Sequence, residues 1–154
     1  MLHFLTDVLT KSIKKLFRKE DYKRNHIEYL FMVALADGHL DMSEYQFLVL
    51  MSEKYGVNIP SVEELTKKLT YLRENAFIDT EIQTNQYKRF EQVCEFVEMM
   101  LADGKIHPEE IKTCQSFAEK LGFAKQKAAI LIEKLSHTIQ VDSPRENVFA
   151  ELCQ

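Results

Sequence analysis

Two short acidic segments carry the residue types in this chain that could do chemistry. The first reads Leu-Ala-Asp-Gly-His-Leu-Asp-Met-Ser-Glu over residues 35–44, and the second reads Leu-Ala-Asp-Gly-Lys-Ile-His-Pro-Glu-Glu over residues 101–110. Each segment has an aspartate before its glycine and a glutamate seven residues after that aspartate. Carboxylate oxygens are the ligands that hard divalent cations prefer, so the two segments predict a metal site if they lie close together.

The predicted metal ligands are the two aspartates, the two glutamates and two nearby histidines: Asp37, Glu44, Asp103, Glu110, His39 and His107. The carboxylates suit Ca²⁺ or Mg²⁺, whereas the histidines favour Zn²⁺ or another transition metal. The Asp-to-Glu spacing matches the second half of an EF-hand loop, but the first and third loop positions are apolar, which argues against a self-contained EF-hand. The same residues also suit a purely structural turn, in which Leu40 and Ile106 anchor the loop.

The spacing between the two segments predicts an internal duplication. All four glycines fall into two pairs that are 66 residues apart, at 38 and 104 and at 56 and 122. We therefore expect repeats over about 27–57 and about 93–123, each a helical hairpin. A pseudo-twofold relation between the hairpins would bring the two Asp-Gly turns together.

The elements around these turns are predicted to be helices. Apolar residues recur at helical spacing, and no stretch shows strand alternation. The predicted class is all-α, with seven to eight helices over 25–36, 42–55, from 61, 84–102, 108–121, 125–136 and from 143. Asn25 and Asp41 are the expected N-caps of the first two, with glutamates three residues on, and Ser61 and Glu64 form an expected capping box for the third. Gly56 is expected to end the second helix, and Pro108 to take the first position of its helix.

The first 19 residues form a separate predicted unit, a basic amphipathic helix ahead of a helical domain over 20–154. Residues 1–24 carry seven basic and three acidic side chains, which leaves a net charge of −8 for the rest of the chain. The segment either packs on the body or makes peripheral contact with an anionic membrane or a protein partner. The acidic remainder disfavours nucleic-acid binding.

Composition limits the other function classes. Three cysteines without C-x-x-C spacing, no signal peptide and no apolar run of membrane-spanning length predict a cytoplasmic protein. The five histidines show no H-x-x-x-H spacing, and neither a G-x-S-x-G motif nor a phosphate-binding glycine loop is present. These observations predict a non-enzymatic protein, and they give no oligomeric state.

The residues at 36–38 and 44, repeated at 102–104 and 110, resemble the tellurite-resistance TerB family and the related N-terminal domain of the co-chaperone DjlA. Both families carry Ala-Asp-Gly with a glutamate six residues after the glycine in each helical hairpin, and the resemblance covers about residues 25–137. It implies an all-α bundle, an acidic surface with a divalent-metal site, and a role in bacterial stress response or protein interaction. His107 and Pro108 depart from the pattern of the first copy.

The expected function is therefore a non-enzymatic, cytoplasmic, TerB-like binding module with a weak divalent-metal site at the paired turns. An unidentified protein partner is expected. The alternative is a protein–protein interaction scaffold without metal, which would use the acidic face or the basic N-terminal helix.

Overall fold

The structure is a computed structural model that describes residues 23–59, 61, 63–64, 67 and 85–153. Within these residues there are six helices and no strand, and residues 63, 64 and 67 are also helical. The six are α1 over 23–34, α2 (Met42–Tyr55), α3 (Gln86–Leu101), α4 (Pro108–Lys120), α5 (Lys125–Gln140) and α6 (Glu146–Leu152). The all-α class is confirmed. The predicted seven to eight helices and the duplicated hairpins are not.

Helix α3 lies at the centre of the described part of the chain. It packs against α2, α4 and α5, and α5 also packs against α4 and α6. Because neighbours cover it on several sides, α3 buries residues around most of its circumference. Its buried residues are Phe90, Gln92, Val93, Cys94, Glu95, Phe96, Val97, Met99 and Met100.

Local sequence signals fix most of the helix ends. Asp41 caps α2: its side chain accepts the Ser43 N–H, and Glu44 closes a capping box by accepting the Asp41 N–H. Gly56 ends α2 with φ at 66°, a left-handed conformation that glycine adopts readily. Pro108 is the first residue of α4, where its missing N–H leaves no hydrogen bond unmade. These three predictions are confirmed.

Other boundaries differ from the prediction. Asn25 is not an N-cap, because residues 23–25 are already helical. The cap of α3 is Asn85, whose side chain accepts the Tyr87 and Lys88 N–H groups. The helix predicted to end at 136 continues to Gln140, since nothing in its sequence breaks it earlier.

Two predicted elements fall on parts of the chain outside the described residues. The basic helix over 1–19 lies outside them entirely. Of the helix predicted from 61, the structure describes a hydrogen bond from the Glu64 N–H to the Ser61 hydroxyl oxygen at 3.1 Å. This bond is half of the expected capping box.

Among the described residues, no helix has the length and apolar character needed to cross a membrane.

Candidate metal centre

The two Asp-Gly turns have the same local structure. The Oδ1 atom of Asp37 accepts the His39 backbone N–H at 3.0 Å, and the Oδ1 atom of Asp103 accepts the Lys105 N–H at 2.9 Å. These side-chain bonds to a backbone N–H two residues on are Asx turns, in which aspartate replaces a backbone acceptor. Each aspartate thus uses one oxygen for its turn and keeps Oδ2 for other partners.

The glycines let the chain reverse at these points. Gly38 has φ at 89° and Gly104 has φ at 78°, in the region that favours glycine. Their N–H groups donate to the carbonyls of Leu35 at 2.9 Å and Leu101 at 3.0 Å. The backbone hydrogen bonds of the two turns therefore repeat at the 66-residue offset seen in the sequence.

The two turns lie side by side, and His107 joins them. Its Nε2 atom is 3.4 Å from Asp37 Oδ2 and 3.3 Å from Asp103 Oδ2. All three side chains are mostly buried and keep some contact with solvent. An imidazole nitrogen thus lies within reach of carboxylates from both turns.

Two buried glutamates near this group belong to the first turns of α2 and α4. Glu44 and Glu110 are 1% and 0% exposed. Glu44 Oε2 accepts the Asp41 N–H at 2.8 Å, but no amide, hydroxyl or basic group of the described residues donates to its Oε1 atom or to either carboxyl oxygen of Glu110, whose side chain pairs with that of Glu44. Two buried carboxyl groups that face each other repel when both are ionised, so the pair needs either a shared proton or a cation.

Burial and neighbouring negative charges shift the pKa values of the two glutamates. Burial raises the pKa of Glu110 to about 8, and the negative charges of Glu44, Asp37 and Asp103 add to the effect. Burial also raises the pKa of Glu44, although the hydrogen bond from the Asp41 backbone opposes it. A cation at this point would relieve the repulsion among the four carboxyl groups.

Three of the predicted ligands come together closely enough to hold one ion. One ligand atom each from Asp37, His107 and Glu110 lies within 4.8 Å of the others. Asp103 adjoins the group through its contact with His107. His39 is exposed and is not part of the group, and its backbone N–H donates to Asp37 instead.

The two predicted loop anchors differ in burial. Leu40 packs on the core, as predicted. The prediction for Ile106 is wrong, since 43% of its surface is exposed.

Sequence reasoning missed a second buried polar cluster, around Glu95 on α3. Glu95 contacts His26 Nε2 at 2.5 Å, and accepts hydrogen bonds from Lys54 Nζ at 2.7 Å and the Tyr55 hydroxyl at 2.9 Å. Gln92 lies 3.1 Å from the other ring nitrogen of His26. The available signal was a glutamate among the apolar positions of α3, which needs a partner from another helix.

Comparison with known proteins adds no relative. No protein-family model matches the chain, and neither the curated proteins nor the solved structures give a match. The resemblance to the TerB family therefore stays a prediction from the two Asp-Gly motifs.

Proposed function

We propose that this chain is a non-enzymatic helical binding module that holds one divalent metal ion between its two Asp-Gly turns. The observation that carries the proposal is Glu110, fully buried beside Asp37 and His107, with another carboxyl group, Glu44, as its side-chain partner and no basic or amide donor to either oxygen among the described residues. A metal ion would supply the positive charge that these carboxylates lack. The TerB-like role in bacterial stress and the cytoplasmic location belong to the same proposal and rest on the sequence resemblance.

The ion would act as a link between the two hairpins. Asp37 and Glu44 come from the α1–α2 side of the site, whereas Asp103, His107 and Glu110 come from the α3–α4 side. An ion bound by residues from both sides stabilises the folded state, because the unfolded chain does not hold these ligands together.

The test is thermal and urea denaturation of the untagged full chain in EDTA and with added Ca²⁺, Mg²⁺ or Zn²⁺. At a free ion concentration of 100 times Kd, we expect stabilisation of about 2.7 kcal/mol. The double variant Asp37→Asn/Asp103→Asn should lose this response, because asparagine keeps the turn acceptor but not the charge. Asp142→Asn, an exposed turn residue outside the cluster, is the matched control. Equal responses in both variants, or none in the wild type, would end the proposal.

A second candidate function, the interaction scaffold, is favoured by the outer surface of α2. Met42 and Leu50 are 69% and 58% exposed, and Tyr45 is also exposed on this helix. Exposed apolar side chains on one helix are typical of protein-binding surfaces. In EDTA, Leu50→Glu should abolish capture of a partner from a cell extract while the wild type retains it. Capture that needs metal and survives Leu50→Glu would favour the metal module instead.

A further inference from the structure

We infer that the site between the two turns selects a transition-metal ion of the Zn²⁺ class over Ca²⁺ and Mg²⁺, and that His107 sets this preference. The inference rests on the proposed function, since it names the ion that the same site would take. It depends on three observations: the position of the imidazole, the absence of a helix-capping role for it, and the number of ligand residues that remain.

The first observation is that His107 lies inside the cluster. Its Nε2 atom lies 3.4 Å and 3.3 Å from the Oδ2 atoms of Asp37 and Asp103. An ion held by both aspartates would therefore also meet the imidazole. Ca²⁺ and Mg²⁺ take oxygen ligands, whereas imidazole nitrogen is a preferred ligand of Zn²⁺ and its neighbours.

The second observation is that the helix start does not need the His107 side chain. The residue occupies the N-cap of α4 but makes no side-chain cap hydrogen bond, and Pro108 follows it. The position 66 residues earlier is Asp41, whose carboxylate caps α2. The same position thus stabilises a helix end in the first copy, and in the second copy it places a nitrogen ligand beside both turns.

The third observation is that local hydrogen bonds already use several carboxylate oxygens. One oxygen each of Asp37, Asp103 and Glu44 accepts a backbone N–H. Asp37, the His107 nitrogen and Glu110 keep ligand atoms within 4.8 Å of one another, and Asp103 Oδ2 adjoins this set of three through His107. Three protein ligands and a water complete a four-coordinate Zn²⁺ site, whereas Ca²⁺ takes 6–8 oxygens.

The spacing of the ligand atoms agrees with this choice. Tetrahedral bonds of about 2.0–2.2 Å place neighbouring ligand atoms about 3.3–3.6 Å apart. The separations from His107 Nε2 to the two aspartate oxygens are 3.4 Å and 3.3 Å. The fully buried Glu110, to which no described basic or amide group donates a hydrogen bond, supplies a carboxylate ligand to the same group.

The experiment is calorimetric titration of the metal-free, untagged full chain with Ca²⁺, Mg²⁺, Zn²⁺ and Co²⁺, at one pH and ionic strength. We expect Zn²⁺ to bind more tightly than Ca²⁺ or Mg²⁺. His107→Gln should weaken Zn²⁺ binding by at least about 10- to 100-fold, the loss that even indirect partners of metal ligands cause. It should leave the affinity for Ca²⁺ unchanged or improved, because glutamine offers an oxygen. His39→Gln removes the exposed histidine of the first turn and should behave as the wild type.

Co²⁺ gives a second readout that does not depend on affinity. The visible absorption of the Co²⁺-loaded wild type should report a four-coordinate site with a nitrogen ligand, and it should change in His107→Gln at saturating Co²⁺. Unchanged far-UV circular dichroism confirms that each variant is folded.

The outcomes separate the two claims. If the wild type binds none of the four ions, the proposed metal module fails. If Ca²⁺ or Mg²⁺ binds more tightly than Zn²⁺, or if His107→Gln leaves Zn²⁺ affinity and the Co²⁺ spectrum unchanged, the metal module stands and the preference inferred here is overturned.

Discussion

Glu95 and Glu110 are both buried glutamates on packed helices, and their surroundings are opposite. Glu95 is 4% exposed and is matched by an imidazole, an ammonium and a phenol from other helices. Burial alone would raise its pKa, but the hydrogen bond from His26 and the nearby Lys54 hold the pKa below the usual value. Glu110 has carboxyl groups as its electrostatic neighbours, and its pKa is raised to about 8.

Glu95 and Glu110 represent two kinds of burial: the protein neutralises the first carboxylate and does not neutralise the second. Removing a charge from water is unfavourable unless the protein supplies partners, and around Glu95 the protein does so. Around Glu110 the fold instead collects more carboxylates, which is unfavourable for stability in the absence of a cation. Strongly perturbed pKa values are concentrated at functional sites, and the proposed metal module therefore places its ion beside Glu110, whereas Glu95 links helices.

The largest expected effect is the loss of Glu95. We expect Glu95→Ala to lower the free energy of unfolding by about 3–5 kcal/mol, because it leaves the buried His26 without its carboxylate. Urea denaturation followed by circular dichroism measures the change. Glu91→Ala, an exposed position on the same helix, is the matched control and should stay within about 0.5 kcal/mol. A loss of less than 1 kcal/mol for Glu95→Ala would remove the contrast with Glu110.

A change of the opposite sign is expected at Glu110. In EDTA at neutral pH, Glu110→Gln should raise the free energy of unfolding by up to about 3 kcal/mol, because the wild type must protonate the buried Glu110 carboxyl on folding and glutamine needs no proton. The same denaturation assay applies. Destabilisation comparable to that of Glu95→Ala would instead show that the Glu110 carboxylate supports the fold.

The pH dependence of the folding stability should also distinguish Glu110 from Glu95. The unfolded chain loses the Glu110 proton near the ordinary value of 4.5, whereas the folded chain keeps it to about 8. Between these values the folded state binds more protons, so in EDTA the wild-type stability should fall as pH rises, by up to about 1.4 kcal/mol per pH unit. In Glu110→Gln this slope should be smaller. The stabilising interaction of Glu95, whose pKa is lowered, should be lost only as pH falls into the acidic range.

The smallest expected change in the free energy of unfolding concerns the N-cap residues of the two copies, Asp41 and His107. Asp41→Ala should lower the free energy of unfolding by about 1 kcal/mol, since it removes a capping box. In EDTA, His107→Ala should change it much less, because His107 makes no cap hydrogen bond. Equal losses in the two variants would show that His107 supports the start of α4, and would weaken its assignment as a ligand.

The features predicted correctly from the sequence depend on neighbours within a few residues. The Asp41 capping box, the start at Pro108 and the left-handed Gly56 each follow from residue types next to one another. Cys94 and Cys114 likewise lie among the apolar positions of their helices, and both are buried. Three predictions are not tested by the structure. They are the pseudo-twofold relation of the hairpins, the TerB resemblance, and the packing or membrane contact of residues 1–19.

The errors and omissions involve contacts that local rules do not contain. Asn25 had the sequence of a cap, yet helical structure already extends to residue 23. Ile106 occupies the position of Leu40 in the second copy, yet it is exposed whereas Leu40 packs on the core. The pairing of His26 with Glu95 joins residues 69 positions apart.

Residue order alone is enough to specify a helical chain with two Asp-Gly turns, because hydrogen bonds and steric limits within one helical turn act in any tertiary setting. Tertiary packing, in contrast, sets which acidic groups are neutralised and which are left together. That outcome depends on how helices distant in the chain pack: α1 and α2 bring His26 and Lys54 to Glu95, whereas the junction of the two turns brings Asp37 to His107 and Glu110. Burial then makes the first group a stable link, and it leaves the second with the unmatched negative charge on which the proposed cation site rests.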